Sequence, residues 1–76
     1  MSVRIIFYGF LIDVAKAREL TVGVEKPTRL EEILGEGFLA KSGKDLVVLV
    51  NDLPATLDTY VRPGDVVKIL PHIGGG

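Results

Sequence analysis

A chain of 76 residues admits one small domain. With 47% hydrophobic and 25% charged residues it reads as globular, and without cysteine it can hold no disulfide scaffold, thiolate metal site or cysteine nucleophile. Nine basic against ten acidic side chains leave a net charge of −1 with no basic run, which argues against a nucleic-acid partner.

Val3 to Tyr8 is rich in β-branched and aromatic residues and is followed by Gly9, the signature of a strand. Apart from Arg4 it is apolar on both alternating sets, which places it centrally in a sheet. Phe10 to Arg18 reads as a loop or irregular turn. Glu19 to Val24 alternates, with Leu20, Val22 and Val24 on one face, and reads as a half-buried second strand.

Pro27 and Thr28 open a helix, with Thr28 as N-cap and Glu31 three residues later completing a capping box. Leu30, Ile33 and Leu34 form its apolar stripe, and Glu31 and Glu32 suit its first turn. Gly35 and Gly37 argue against a long continuation. Phe38, Leu39 and Ala40 are expected to fold back as an apolar lid, and Lys41 to Lys44 to form a polar loop.

Leu46 to Val50 is the strongest strand signal in the chain. Asn51 to Pro54 reads as a turn, and Asp58 to Val61 as a weak strand. Arg62-Pro63-Gly64-Asp65 has the type II arrangement, with Pro at the second position and Gly at the third. Val66 to Leu70 is the last strand, ended by Pro71.

A hairpin, a helix and further strands make an α+β fold with one helix across one sheet face. Setting the two most apolar strands, the first and the last, side by side gives a mixed sheet of four to five strands in the ubiquitin-like β-grasp arrangement. Residues 1–70 then form the domain, and residues 71–76 a flexible C-terminal diglycine tail. The N-terminus has no signal-peptide pattern, and the longest apolar run, Leu46 to Val50, is too short to cross a bilayer. The expected protein is soluble and cytoplasmic, with no membrane partner.

Strand parity also predicts two faces. Val67, Ile69, Val48 and Val50 are expected to face the helix. Val66, Lys68, Leu70, Val47, Leu49, Arg4 and Tyr8 are expected to face away, forming an apolar patch rimmed by Arg4 and Lys68. Asp52, Asp58 and Asp65 fall at turn positions, where aspartate bonds its own backbone, and His72 stands alone, so no metal site is expected.

Four segments carry a resemblance: Val3-Arg4-Ile5-Ile6-Phe7-Tyr8-Gly9; Val50-Asn51-Asp52-Leu53; Arg62-Pro63-Gly64-Asp65-Val66-Val67; and Leu70-Pro71-His72-Ile73-Gly74-Gly75-Gly76. Together they resemble the MoaD/ThiS-like ubiquitin-like sulfur carriers, most closely the small subunit of molybdopterin synthase. His72 stands where that group usually carries a second proline, and Gly74 where another small residue is usual.

The resemblance implies a carrier without catalytic residues of its own. Gly76, next to Gly75, would supply a C-terminal carboxylate for adenylylation and conversion to a thiocarboxylate. No cofactor would be bound, ATP being used by the activating partner. The implied partners are a ubiquitin-activating-type adenylyltransferase and the large subunit of molybdopterin synthase. Partner contact would fall on Gly74, Ile73, Pro71, Leu70, Lys68, Arg4 and Tyr8. Three other readings stand beside it: a ubiquitin-like modifier conjugated to lysines through Gly76, a thiamine-pathway sulfur carrier, and a β-grasp module that uses its sheet and not its tail.

Overall fold

The structure, a computed structural model, describes residues 1–43 and 45–72. Strand β1, Ser2–Phe7, buries Val3, Ile5 and Phe7 and exposes Arg4. Gly9, at φ +59°, turns the chain into α1, Leu11–Ala15. This short helix replaces the loop expected there. Fully buried Leu11 draws it onto the core, Lys16 in the left-handed region stops it, and five residues are too few for the helical period to show. Strand β2, Glu19–Gly23, returns antiparallel to β1, and Val24 is buried just beyond it.

The next segment differs most from expectation. Thr28 and Arg29 form a two-residue strand, β3, and the Thr28 hydroxyl donates to the Lys26 carbonyl rather than capping a helix. Helix α2, Leu30–Ser42, starts after Arg29 with no side-chain cap. Its first amides are met by a distant loop instead: Leu30 donates to the Thr59 carbonyl at 3.0 Å and Glu31 to the Leu57 carbonyl at 2.9 Å. Tertiary carbonyls thus satisfy the orphan donors that a capping box would otherwise serve.

Gly35, at φ +84°, divides α2 into two helical segments, and the second continues through Lys41 and Ser42, where a loop was expected. Phe38 lies in that second segment and packs on Phe7 with ring centroids 5.3 Å apart.

Strands β4, Leu46–Val50, and β5, Leu53–Ala55, form a hairpin. Asn51 and Asp52 both have positive φ, as a two-residue type I′ turn requires. Leu53 and Pro54 therefore belong to a strand and not to the turn; Pro54 is tolerated because β5 is an edge strand. Strand β6, Tyr60–Val61, pairs with β3 in a second small sheet. The turn to β7, Val66–Pro71, has the expected geometry: Gly64 sits at φ +95° and the Asp65 amide donates to the Arg62 carbonyl at 3.0 Å.

The main sheet has five strands in the order β2-β1-β7-β4-β5, with β1 and β7 parallel at its centre and the other pairs antiparallel. Helix α2 crosses one face. Ile5, Leu11, Leu30, Ile69, Val3, Val61 and Val67 are the largest fully buried side chains and form the core between sheet and helices. This is the ubiquitin-like β-grasp arrangement.

Candidate functional site

The sheet has a second face that no helix among the described residues covers, and register decides which side chains share it. Across β1 and β7, Arg4 stands opposite Val66 and Ile6 opposite Lys68. Across β7 and β4, Lys68 stands opposite Leu49 and Leu70 opposite Val47. Facing residues in a ladder project to the same side, so Arg4, Ile6, Val66, Lys68, Leu70, Val47 and Leu49 form one surface. Tyr8 follows Ile6 at the same parity; its amide donates to the Ile69 carbonyl at 3.1 Å and its side chain is exposed. The expected outer-face residues are thus brought together. Ile6 joins them although sequence reasoning did not name it; its parity with Arg4 was the signal.

The charges on this face are not free. Arg4 meets Glu19 through a fork, Nε to Oε2 at 2.9 Å and Nη2 to Oε1 at 3.0 Å. Hydrogen bonding to Arg4 holds the Glu19 carboxyl below its ordinary pKa, and the same contact raises that of Arg4. Lys68 donates to Asp52 Oδ1 at 2.7 Å, which holds its ammonium above the usual lysine range.

The last strand leads the chain out at one end of this face. Pro71 is paired with Leu46, and the His72 amide donates to the Asp45 carbonyl at 3.1 Å. On the other side Gly9 lies so close that a Cβ there would sit 3.0 Å from Pro71 Cγ. Pro71, expected to begin a flexible tail, is therefore held in the sheet. Ile73, Gly74, Gly75 and Gly76, expected to carry the chemistry, lie outside the described residues.

A cavity of about 200 Å³ between α2, α1 and the β1–β2 hairpin is walled by Ile5, Phe7, Leu20, Val22, Ile33 and Phe38, with Lys41 the one charged residue among its described lining. Among the described residues no group of three or more His, Cys, Asp or Glu side chains could hold a metal ion. Among the same residues no helix is long and apolar enough to cross a membrane.

The family model of the ThiS family matches residues 5–76. The chain belongs to the ThiS family. Its fold is also that of SAMP1 from Haloferax volcanii, at TM-score 0.78 and 20% identity with 100% of both chains covered. Urm1 from Trypanosoma brucei matches at TM-score 0.71 and 21% identity, covering 99% of this chain and 96% of that one. A chain from the complex of subunits 1 and 2 of the molybdopterin-converting factor of Helicobacter pylori matches at TM-score 0.65 and 28% identity, with 100% of both chains covered. No curated protein matches significantly. The chain is thus a small ubiquitin-like protein of a ThiS/MoaD-like sulfur-carrier or modifier family, whose small carriers are generally non-catalytic.

Proposed function

We propose that this ThiS-family chain is a sulfur carrier for molybdopterin synthesis, with the Gly76 carboxylate as its reacting group. The observation that carries the reading is the family match running through residue 76 on a β-grasp body whose last strand leads directly into that end. A terminal carboxylate, with a pKa near 3.5, is ionised at neutral pH. Its oxygen attacks the α-phosphorus of ATP in a partner adenylyltransferase and pyrophosphate leaves. Hydrosulfide supplied by a sulfur donor then adds to the acyl carbon of the adenylate, the acyl–oxygen bond breaks with AMP as the leaving group, and loss of the S–H proton leaves a thiocarboxylate. The large subunit of a molybdopterin synthase takes that sulfur; the subunit 1–subunit 2 complex from Helicobacter pylori supports this pairing.

The carrier's part is delivery. Four residues follow His72, so the carboxylate lies at most about 14 Å beyond it. Counting from Pro71, six residues would span roughly 20 Å, but the pairing of Pro71 and the His72–Asp45 bond shorten the free length. The folded body must therefore dock close to the partner's active site. Glycine at the end admits close backbone approach in a narrow channel, and the open face beside it supplies the docking surface.

The test is an intact mass after incubation with the adenylyltransferase, ATP and a sulfur donor. Exchange of one oxygen for one sulfur on the peptide bearing Gly76 supports the carrier. Lysine conjugates bearing a diglycine remnant support instead a modifier, the reading that SAMP1 and Urm1 suggest at the level of fold. Transfer of the sulfur to a thiamine precursor rather than to molybdopterin would reassign the pathway. Full activity after deletion of Gly76 would end the proposal.

A further inference from the structure

The two edges of the main sheet are not alike. β5, at one end of the order, carries Pro54, which has no amide to offer a further strand. β2, at the other end, has neither proline nor bulge, and pairs with β1 without a break from Glu19 to Gly23. The Arg18 carbonyl accepts from the Phe7 amide, and the Val24 amide donates to the Met1 carbonyl. Antiparallel ladders alternate, so Arg18, Leu20, Val22 and Val24 turn their backbone groups toward β1. Glu19, Thr21 and Gly23 turn theirs outward, where no strand among the described residues meets them. Leu20 stands opposite Ile5 and Val22 opposite Val3, so both side chains face the helices.

The cavity between α2 and the β1–β2 hairpin runs along this edge. Leu20 and Val22 form one wall, and Ile33, Leu34, Gly37 and Phe38 of α2 the other. Leu20 is 40% exposed there, and a Cβ on Gly37 would meet nothing within 4 Å. One end of the cavity is basic. Phe38 packs on Phe7, whose amide bonds Arg18, so the last turn of α2 and the start of β2 lie together. Lys41 belongs to that turn and lines the cavity, and Arg18 shares the parity of Leu20. Neither is in an ion pair with a described residue. The glutamates of α2, Glu31, Glu32 and Glu36, lie instead around a separate hollow with Gly35 and Leu39.

We propose that the β2 edge takes an extended peptide segment of another protein as an additional strand. Its alternate apolar side chains enter the cavity, and acidic residues at one end face Lys41 and Arg18. Outward donors and acceptors at alternate residues match an extended backbone, and every second side chain of an added strand points to the helix side. The cations at one end of an apolar wall set the charge of the segment's end. A second copy pairing β2 against β2 is a poor occupant, because it brings Arg18, Leu20 and Val22 to that side, a cation and no acid. The inference does not rest on the carrier reading, since it uses neither the C-terminal end nor the open face.

The experiment titrates the isotope-labelled full-length chain with capped peptides in which Val-Ile-Val-Ile is followed, or preceded, by a run of aspartates, since an added strand can lie in either direction. One of the two is expected to shift the amides of Glu19, Thr21 and Gly23 and those of α2 around Gly37. It should also slow hydrogen exchange at the same three β2 amides. Lysines in place of the aspartates should weaken binding by about 5-fold or more, and Lys41→Glu should narrow that gap. Thr21→Pro removes an outward donor from an edge strand and should abolish binding. Peptides N-methylated at alternate amides give the same reading without altering the chain, one of the two alternate sets failing to bind. No shift with either peptide at millimolar concentration overturns the inference. So does equal binding of aspartate and lysine peptides, or binding that survives both Thr21→Pro and both N-methylated sets. Octanoate that shifts the α2 amides as strongly, with no protection at Thr21, would overturn it in favour of a small apolar anion. Protection at Thr21 that rises with protein concentration without peptide would overturn it in favour of a second copy. Sulfur loading, read by intact mass, should be equal in wild type and Lys41→Glu; a wild type that is never loaded ends the carrier reading and leaves this inference standing.

Discussion

The two faces of one sheet serve opposite ends, although the same strands build both. On the helix side Val3, Ile5, Phe7, Val67 and Ile69 are at most 2% exposed. On the other side Arg4, Ile6, Val66, Lys68 and Leu70 come from the same two strands, and all keep some exposure. Adjacent residues therefore differ in what they hold. One set resists unfolding, and the other leaves apolar area open among the described residues. Substitutions on the two sides should separate accordingly, stability from binding.

The largest expected effect is on the closed face. Ile5→Ala or Ile69→Ala removes a fully buried side chain between sheet and helices and should cost about 2–5 kcal/mol, with the spread set by how far the site can collapse. At this size each kcal/mol lowers the thermal midpoint by about 4–8 °C. The counterpart on the open face is Leu49→Lys. It should change stability by about 1 kcal/mol or less, and under the carrier reading proposed above it should weaken partner binding by about 10-fold or more, since a second ammonium would stand opposite Lys68 on the open face. Chemical denaturation and a binding isotherm on the same samples check both. Comparable losses of stability from both substitutions would break the division between the faces.

A smaller effect is expected where the hairpin and the last turn meet. Asn51 donates from Nδ2 to Asp65 Oδ1 at 3.0 Å and accepts from the Val66 amide at 3.0 Å, while its own amide donates to the Val66 carbonyl at 2.8 Å. It also holds φ +52°. Asn51→Gly keeps the backbone freedom and loses the two side-chain bonds, at about 0.5–1.5 kcal/mol each at most. Asn51→Ala adds the left-handed strain of a Cβ and should be worse. The difference in their denaturation midpoints reports that strain net of the extra backbone freedom of glycine in the unfolded chain.

Legibility in the sequence followed physical size. The long strands showed because β-branched residues repeat with period two, and Arg4 and Lys68 marked the open-face parity as plainly as Ile5 and Ile69 marked the core. Helix α1 did not show because it is a single short turn held by Leu11, a contact made at long range. The Thr28 capping box was misread because the carbonyls of Leu57 and Thr59, remote in sequence, serve the helix start. Strand β5 was hidden by Pro54, which only its edge position permits. The pairing of Arg4 with Glu19 and of Lys68 with Asp52 needs the register itself. Gly75 and Gly76 were singled out by resemblance rather than by packing, since a glycine pair carries no pattern of its own.

The smallest expected effect sharpens the same contrast through pH. The buried side chains of the closed face are apolar, so they add no proton linkage. The open face carries Glu19 and Lys68, whose pKa values move in opposite directions on folding. Glu19 is lowered by its hydrogen bond to Arg4, so the folded chain binds that proton less readily than the unfolded one. Its contribution is complete above the ordinary carboxylate pKa, near 4.3, and is lost as pH falls through the lowered folded value. Lys68 is raised by its hydrogen bond to Asp52, so its contribution is complete below the ordinary lysine pKa, near 10.4, and is lost as pH rises through the raised value. Both pairs are exposed, so both effects should be small and should shrink with salt. Thermal midpoints followed across pH should lose part of their acid slope in Glu19→Gln and part of their alkaline slope in Asp52→Asn, with neither variant altered in mid-range by more than the pair it removes. If Asp52→Asn left the alkaline slope unchanged, Lys68 would be unpaired in the free chain.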